Sequence, residues 1–165
     1  MQQQVPVEKA LERKYPEQVA LILTRSPEGK INLMAVGWIT LVSDDPFMFL
    51  IGVDHPAYTL ELIRSTGEFV IAYPSREMAK ETLFAGTVHG HNIDKGKESG
   101  LKFLPGTGGK VPILADAAAN FECQLTDEFC PGNCPLIVGK VTASHINPDL
   151  SIQRLMNCGK GYQLQ

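Results

Sequence analysis

What this chain lacks narrows it first. No run of lysines or arginines occurs in its 165 residues, and 15 basic against 18 acidic side chains leave a net charge of −3. The electrostatic footprint of a nucleic-acid binder is therefore missing. No apolar run approaches the roughly 18 residues of a membrane span, and the opening MQQQVPVEKALERKY has no apolar core of signal-peptide length. We expect a cytoplasmic protein with neither a nucleic-acid nor a membrane partner. Cysteine is sparse, at four residues, and thiols in that compartment stay reduced, which argues against a disulfide framework. The chain is too apolar for disorder: charged and hydrophobic fractions of 20% and 44% are ordinary for a globular chain. The length suits one domain over residues 1–165.

The usual catalytic signatures are missing too. GTGGKV from Gly106 looks like a phosphate loop, but Leu104 stands where a Walker motif needs its first glycine and Val111 where it needs Ser or Thr. There is no G-x-G-x-x-G opening a helix after a strand, no H-E-x-x-H and no G-x-S-x-G. Cys130 and Cys134, in DEFCPGNCPLIVGKV, are spaced C-x3-C rather than C-x-x-C, and no second pair follows at a zinc-site distance. A plain hairpin turn, a functional thiol and a metal site completed from elsewhere all remain open.

What is present is mostly strand. A charged segment suited to a helix, Val7 to Tyr15, precedes the β-rich QVALILTR, and SPEGK supplies turn residues. INLMAVGWITLVS reads as one long strand in which Gly37 marks a bulge or a close approach to the backbone. FMFLIGV follows, giving a meander of three strands. The period then changes: HPAYTLELIRSTG places Pro56 at a first helical position and Gly67 at the helix end. EFVIAY returns to strand. SREMAKETLFA predicts a second helix from Ser75, its N-cap, to Ala85, stopped by Gly86. The glycine-rich stretch from Thr87 to Pro112 is irregular, with one short helix near Lys95 to Ser99, and a loop of that length points to function or to a partner. NFECQLTD alternates, with Phe121, Cys123 and Leu125 on one face, and LIVGKVTASHI is its antiparallel mate across the CPGN tip. About six strands at hairpin spacing with inserted helices predict a mostly β fold, an antiparallel barrel.

Candidate site residues gather around these elements. His89 and His91 lie two apart in HGH, with Asp94 and Lys95 behind them. Incidental solvated histidines, anion contacts and a metal site are all compatible with that spacing. Thr59 sits near a helix start, where free N–H groups favour a phosphate. Trp38 fits a core position as well as the wall of a site for a planar ring.

Four segments taken together, NLMAVGWITLVSDDPFMFLIGV, HPAYTLELIRSTGEFVIAYPS, LFAGTVHGHNIDK and NFECQLTDEFCPGNCPLIVGKV, resemble the flavin-reductase-like, FMN-binding split-barrel proteins over roughly Ile31 to His145. W-x-T-x-V-S-x-D-P and G-x-x-x-G-x-x-x-D-K are specific in combination. The resemblance implies a six-stranded split β-barrel, a homodimer, and FMN near its interface, with electrons passing from NAD(P)H or a reduced redox protein. It implies that Ala35, Val36, Gly37, Trp38, Ile39 and Thr40 run beside the flavin ring. Gly52, Val53, His55, Tyr58, Thr59, Ala72 and Tyr73 would surround the ribityl chain and phosphate, and Gly86, Thr87, His89, Gly90 and Lys95 would complete the phosphate end. Relatives usually carry Ser and Arg where His89 and His91 stand, and Asn where Ala72 stands. Where this hairpin reads PGNCP, theirs reads G-D-H, so Cys134 takes a catalytic histidine's position. The expectation is a flavin reductase or an electron-transfer flavoprotein. The alternatives are a flavin-binding or sensing module without turnover, and a thiol or metal redox protein built on Cys130 and Cys134.

Overall fold

The computed structural model describes all 165 residues. Helix α1 (Val7–Leu11) and strand β1 (Glu17–Gln18) lead into β2 (Ala20–Arg25) and β3 (Ile31–Val36), followed by the hairpin of β4 (Ile39–Asp44) and β5 (Phe47–Gly52). Then come α2 (Tyr58–Thr66), β6 (Glu68–Tyr73), a 3-10 turn at Arg76–Met78, α3 (Ala79–Thr87) and α4 (Lys95–Glu98). Two short strands, β7 (Phe103–Leu104) and β8 (Ile113–Leu114), precede the long hairpin of β9 (Ala119–Phe129) and β10 (Leu136–Ile146), and β11 (Met156–Asn157) is last.

Seven strands make one antiparallel sheet in the order β3-β2-β6-β9-β10-β5-β4. Its two edge strands are consecutive in sequence, separated only by Gly37 and Trp38. Laid flat, seven strands would hold those edges about 29 Å apart, whereas the short link spans about 11 Å at most. The sheet has to curl until its edges nearly meet at that link, and it stays unpaired between them: a split barrel.

This revises three sequence expectations. INLMAVGWITLVS is two strands rather than one, which raises the count from six to seven. β3 and β4 lie at opposite ends of the sheet, so the first strands are not a simple meander. Gly37 is the break itself; the bulge comes later, between Leu41 and Ser43.

β2 and β6 are apolar along nearly their whole length because both their faces are covered. Ala20, Ile22, Phe69 and Ile71 point into the barrel with Phe49, Ile51, Cys123 and Ile137, and Leu60 and Ile63 of α2 plug the same core. Leu21, Leu23, Val70 and Ala72 point outward into a second core with Met78 and Ala85 and with Val111, Ile113 and Leu114. The inward Phe121, Cys123 and Leu125 face matches the alternation of β9. The opposite face is less exposed than alternation suggests, since the 105–110 loop folds over Glu122. Gly139 of β10 is needed for packing: a Cβ there would lie 2.3 Å from Phe69 Cζ.

Helix ends differ in instructive ways. Gly67 closes α2 with φ +72°, as its position predicts. α2 itself begins at Tyr58, two residues beyond Pro56, and α1 ends at Leu11 rather than Tyr15. Ser75 precedes the 3-10 turn but its hydroxyl makes no capping bond. α3 runs through Gly86 to Thr87 instead of stopping, because the missing side chain lets it lie on β3: a Cβ at Gly86 would be 3.1 Å from Ala35 Cβ. The chain ends meet as β1 pairs with β11, and Asn157 Nδ2 donates to Glu17 Oε1 at 3.1 Å.

Candidate functional site

A cavity of about 580 Å³ opens where β3, the Gly37–Trp38 link, the start of α2 and the α3–α4 loop converge. That volume suits a cofactor-sized ligand. Two clusters of wall residues give it two chemically different ends.

The first cluster is made for an anion. Ala57 caps α2 without any side-chain hydrogen bond, so the first N–H groups of a nine-residue helix are left for a ligand. Thr59, in the first turn, is 2% exposed and its hydroxyl oxygen accepts from Asn32 Nδ2 at 2.9 Å, leaving its proton free to donate. Asn32 also donates to Thr24 Oγ1 at 3.2 Å, while its buried Oδ1 has no partner. An orphaned buried polar atom on a cavity wall marks a place where a ligand completes the bonding. Gly90 lies directly against it, since a Cβ there would come within 2.1 Å of Asn32 Oδ1. Lys95 is buried, with Nζ donating to Leu33 O and Ala85 O at 2.8 Å each. Burial pushes its pKa down to about 8. His89 joins this wall, but His91 does not: its ring packs against Tyr58 at a 45° tilt and its Nε2 lies 2.9 Å from Glu61 Oε1.

The second cluster is flatter and less polar. Trp38 is 61% exposed, a rim residue rather than a core one, and its carbonyl accepts from Gly52 N at 2.9 Å. Cys134 is buried beside them, 3.5 Å from where a Cβ of Gly52 would stand. Burial first, then the neighbouring Asp54 carboxylate and Cys130, push the Cys134 thiol up, so it stays protonated at neutral pH. The paired chain ends complete this wall with Tyr15, Glu17, Asn157 and Tyr162. Tyr162 adopts φ +61°.

The cavity thus gathers Ala35, Val36, Gly37, Trp38, Gly52, Tyr58, Thr59, Gly86, His89, Gly90, Lys95 and Cys134. Other expected residues lie off its wall. Ile39, Val53 and Tyr73 face the barrel core, and Ala72 faces the second core. Thr40 is exposed on β4. Thr87 borders a smaller neighbouring pocket and bonds back to Leu83 O, while His55 turns toward Cys130. Sequence reasoning missed Asn32, Met34, Asp54 and the chain ends. Asn32 carried a signal, a lone amide inside an apolar strand run; the ends carried none. GTGGK binds carboxylates of its own chain rather than a phosphate: Thr107 N and Gly108 N donate to Glu122, and Lys110 N to Glu68.

Known proteins share this chain's sequence pattern and its fold. The sequence pattern described as the flavin reductase like domain matches residues 12–164. An uncharacterised protein of Pyrococcus abyssi is 37% identical over 78% of this chain and 73% of its own length. Flavoredoxin from Methanosarcina acetivorans superposes with a TM-score of 0.85 at 26% identity, covering 100% of this chain and 90% of that one. The FMN-binding protein of Thermus thermophilus, solved with bound 1-cyclohex-2-enone, gives a TM-score of 0.82 at 25% identity, over 98% and 92% of the two chains.

Proposed function

The chain belongs to the flavin reductase like family, and from that premise we propose that it is an FMN-binding flavoprotein that moves reducing equivalents from a nicotinamide or a reduced redox protein to an acceptor. The observation that carries this reading is one cavity with an anion-receptive end and a flat, backbone-lined end. The uncapped start of α2, Thr59, Asn32 and Lys95 suit a phosphate. The Gly37–Trp38 link and Gly52 suit a planar ring. The orphaned Asn32 Oδ1 and the space kept by Gly90 fit a polar chain reaching between them.

FMN, when bound, supplies a ring that takes up hydride or electrons and releases them. The protein's part is to hold and bias that ring. The backbone of Gly37 and Trp38 would lie beside the ring and favour negative charge there, and the cation of Lys95 would offset the phosphate. Cys134 keeps its proton, so it adds no negative charge to the ring's surroundings. The resemblance to the family's G-D-H hairpin puts the Cys134 thiol where a histidine is expected, and that favours a second reading, an electron carrier fed by a redox protein rather than by NAD(P)H. We also propose a homodimer, formed where Trp38, Leu41, Val42 and Phe47 leave an apolar face on the open edge.

The test is the visible spectrum of the purified protein during FMN titration, then anaerobic addition of NADH or NADPH. Flavin uptake with bleaching supports the reductase. Uptake without bleaching supports the carrier, and absence of uptake overturns both.

A further inference from the structure

Of the CPGNC tip, the reading above uses only Cys134, as a protonated wall residue. Phe129 pairs with Leu136 as the last rung of the β9–β10 ladder, so Cys130 stands across from Pro135, one residue from Cys134. Directly opposed residues of an antiparallel pair are about 5 Å apart, so the turn holds the backbones of the two cysteines close to each other. Their surroundings differ. Cys130 is exposed, with Sγ 3.9 Å from His55 Nε2 and 3.3 Å from Gly132 O. Cys134 is buried on the cavity wall, beside Asp54. The other two thiols have no such setting: Cys123 lies in the barrel core, pushed up to about 12 by burial, and Cys158 lies in the C-terminal segment.

We propose that Cys130 and Cys134 form a dithiol/disulfide couple at the mouth of the cavity, with Cys130 as the outer thiol that exchanges with an external disulfide and Cys134 as the inner, resolving thiol. His55 positions Cys130 and takes its proton. The Cys130 thiolate attacks one sulfur of the external disulfide, whose S–S bond breaks as a mixed disulfide forms and a thiolate leaves. Cys134 then gives its proton to that leaving thiolate and attacks Cys130 Sγ. The Cys130–Cys134 bond forms, the mixed disulfide breaks, and the second thiolate takes the proton held by His55. One external disulfide is reduced to two thiols and the protein pair is oxidised. Returning the pair to the dithiol requires two electrons and two protons; Cys134's place on the wall assigns that supply to reduced flavin in the cavity, a link that rests on the reading above.

The exchange is tested on flavin-free protein in glutathione buffers of rising oxidation, with alkylation and mass analysis of each cysteine. The expected result is that Cys130 and Cys134 become protected together as an intramolecular pair while Cys123 and Cys158 do not. In Cys134→Ser a glutathione adduct accumulates on Cys130, and in Cys130→Ser Cys134 stays unmodified. His55→Gln slows alkylation of Cys130 several-fold. Both cysteines staying alkylatable in excess oxidised glutathione, or no adduct on Cys130 in Cys134→Ser, overturns the proposal, and an unchanged alkylation rate removes His55 from it. A second arm loads the disulfide form with FMN and adds one two-electron equivalent anaerobically. Recovery of both thiols supports the link to the cavity, and persistence of the disulfide with reduced flavin present overturns it. Failure to take up FMN strikes the flavin reading and leaves the exchange result standing.

Discussion

Lys95 holds a charge where charge is costly, and this gives the site a pH dependence with a defined sign. Its ammonium is stripped of water and its pKa falls to about 8, so the empty cavity carries that cation below pH 8 and loses it above. FMN affinity should therefore fall as pH rises from 7 to 9, by about tenfold at most for a single linked proton. In Lys95→Met the dependence should flatten, as fluorescence titration at three pH values will show. Thr59→Val should weaken FMN by about 1 kcal/mol or somewhat more, the scale of one hydrogen bond to a charged group, and a dissociation constant unchanged within error would remove Thr59 from the phosphate end. The sequence pointed to both residues, one from DK in the loop and one from its place at a helix start, and both line the cavity. Asn32 offered only the weak signal of a lone amide in an apolar run, and its use shows only once Thr24 and Thr59 are seen on either side of it.

Between elements, the 105–110 loop is fastened to β9 by one carboxylate. Burial alone would raise the pKa of Glu122, but bonds from Thr107, His145 and Gly108 outweigh it and bring it down to about 2. A carboxyl easier to ionise folded than unfolded stabilises the fold fully above its ordinary 4.5, and that stability drains away as pH falls toward 2. Glu122→Gln should cost roughly 2–3 kcal/mol at neutral pH, read by urea denaturation, and the gap to the parent protein should narrow near pH 3. Faster hydrogen exchange at Thr107 and Gly108 should accompany it. Strand alternation placed Glu122 correctly on the face opposite Cys123, yet could not reveal that a glycine-rich loop covers that face. The contact joins residues 14 and 15 apart through turns that have no periodicity.

At the scale of the whole molecule, the strands were readable from apolar runs, but their arrangement hinged on two residues. Nothing local in AVGWIT distinguishes a bulge from a break; the curl of seven strands does, and it is a property of the entire sheet. The open edge that results carries Leu41 and Val42, each 49% exposed. An apolar stripe beside an unpaired edge invites a second copy. Light scattering should give twice the chain mass of 18.1 kDa, and Leu41→Asp should shift it toward the monomer. The clasp of β1 against β11 has a different reach. Every strand of the large sheet lies between these two short segments in the chain, so during synthesis the barrel emerges before Asn157 arrives to meet Glu17. The wall that Asn157 and Tyr162 lend to the cavity is thus completed last, after the barrel that it closes over.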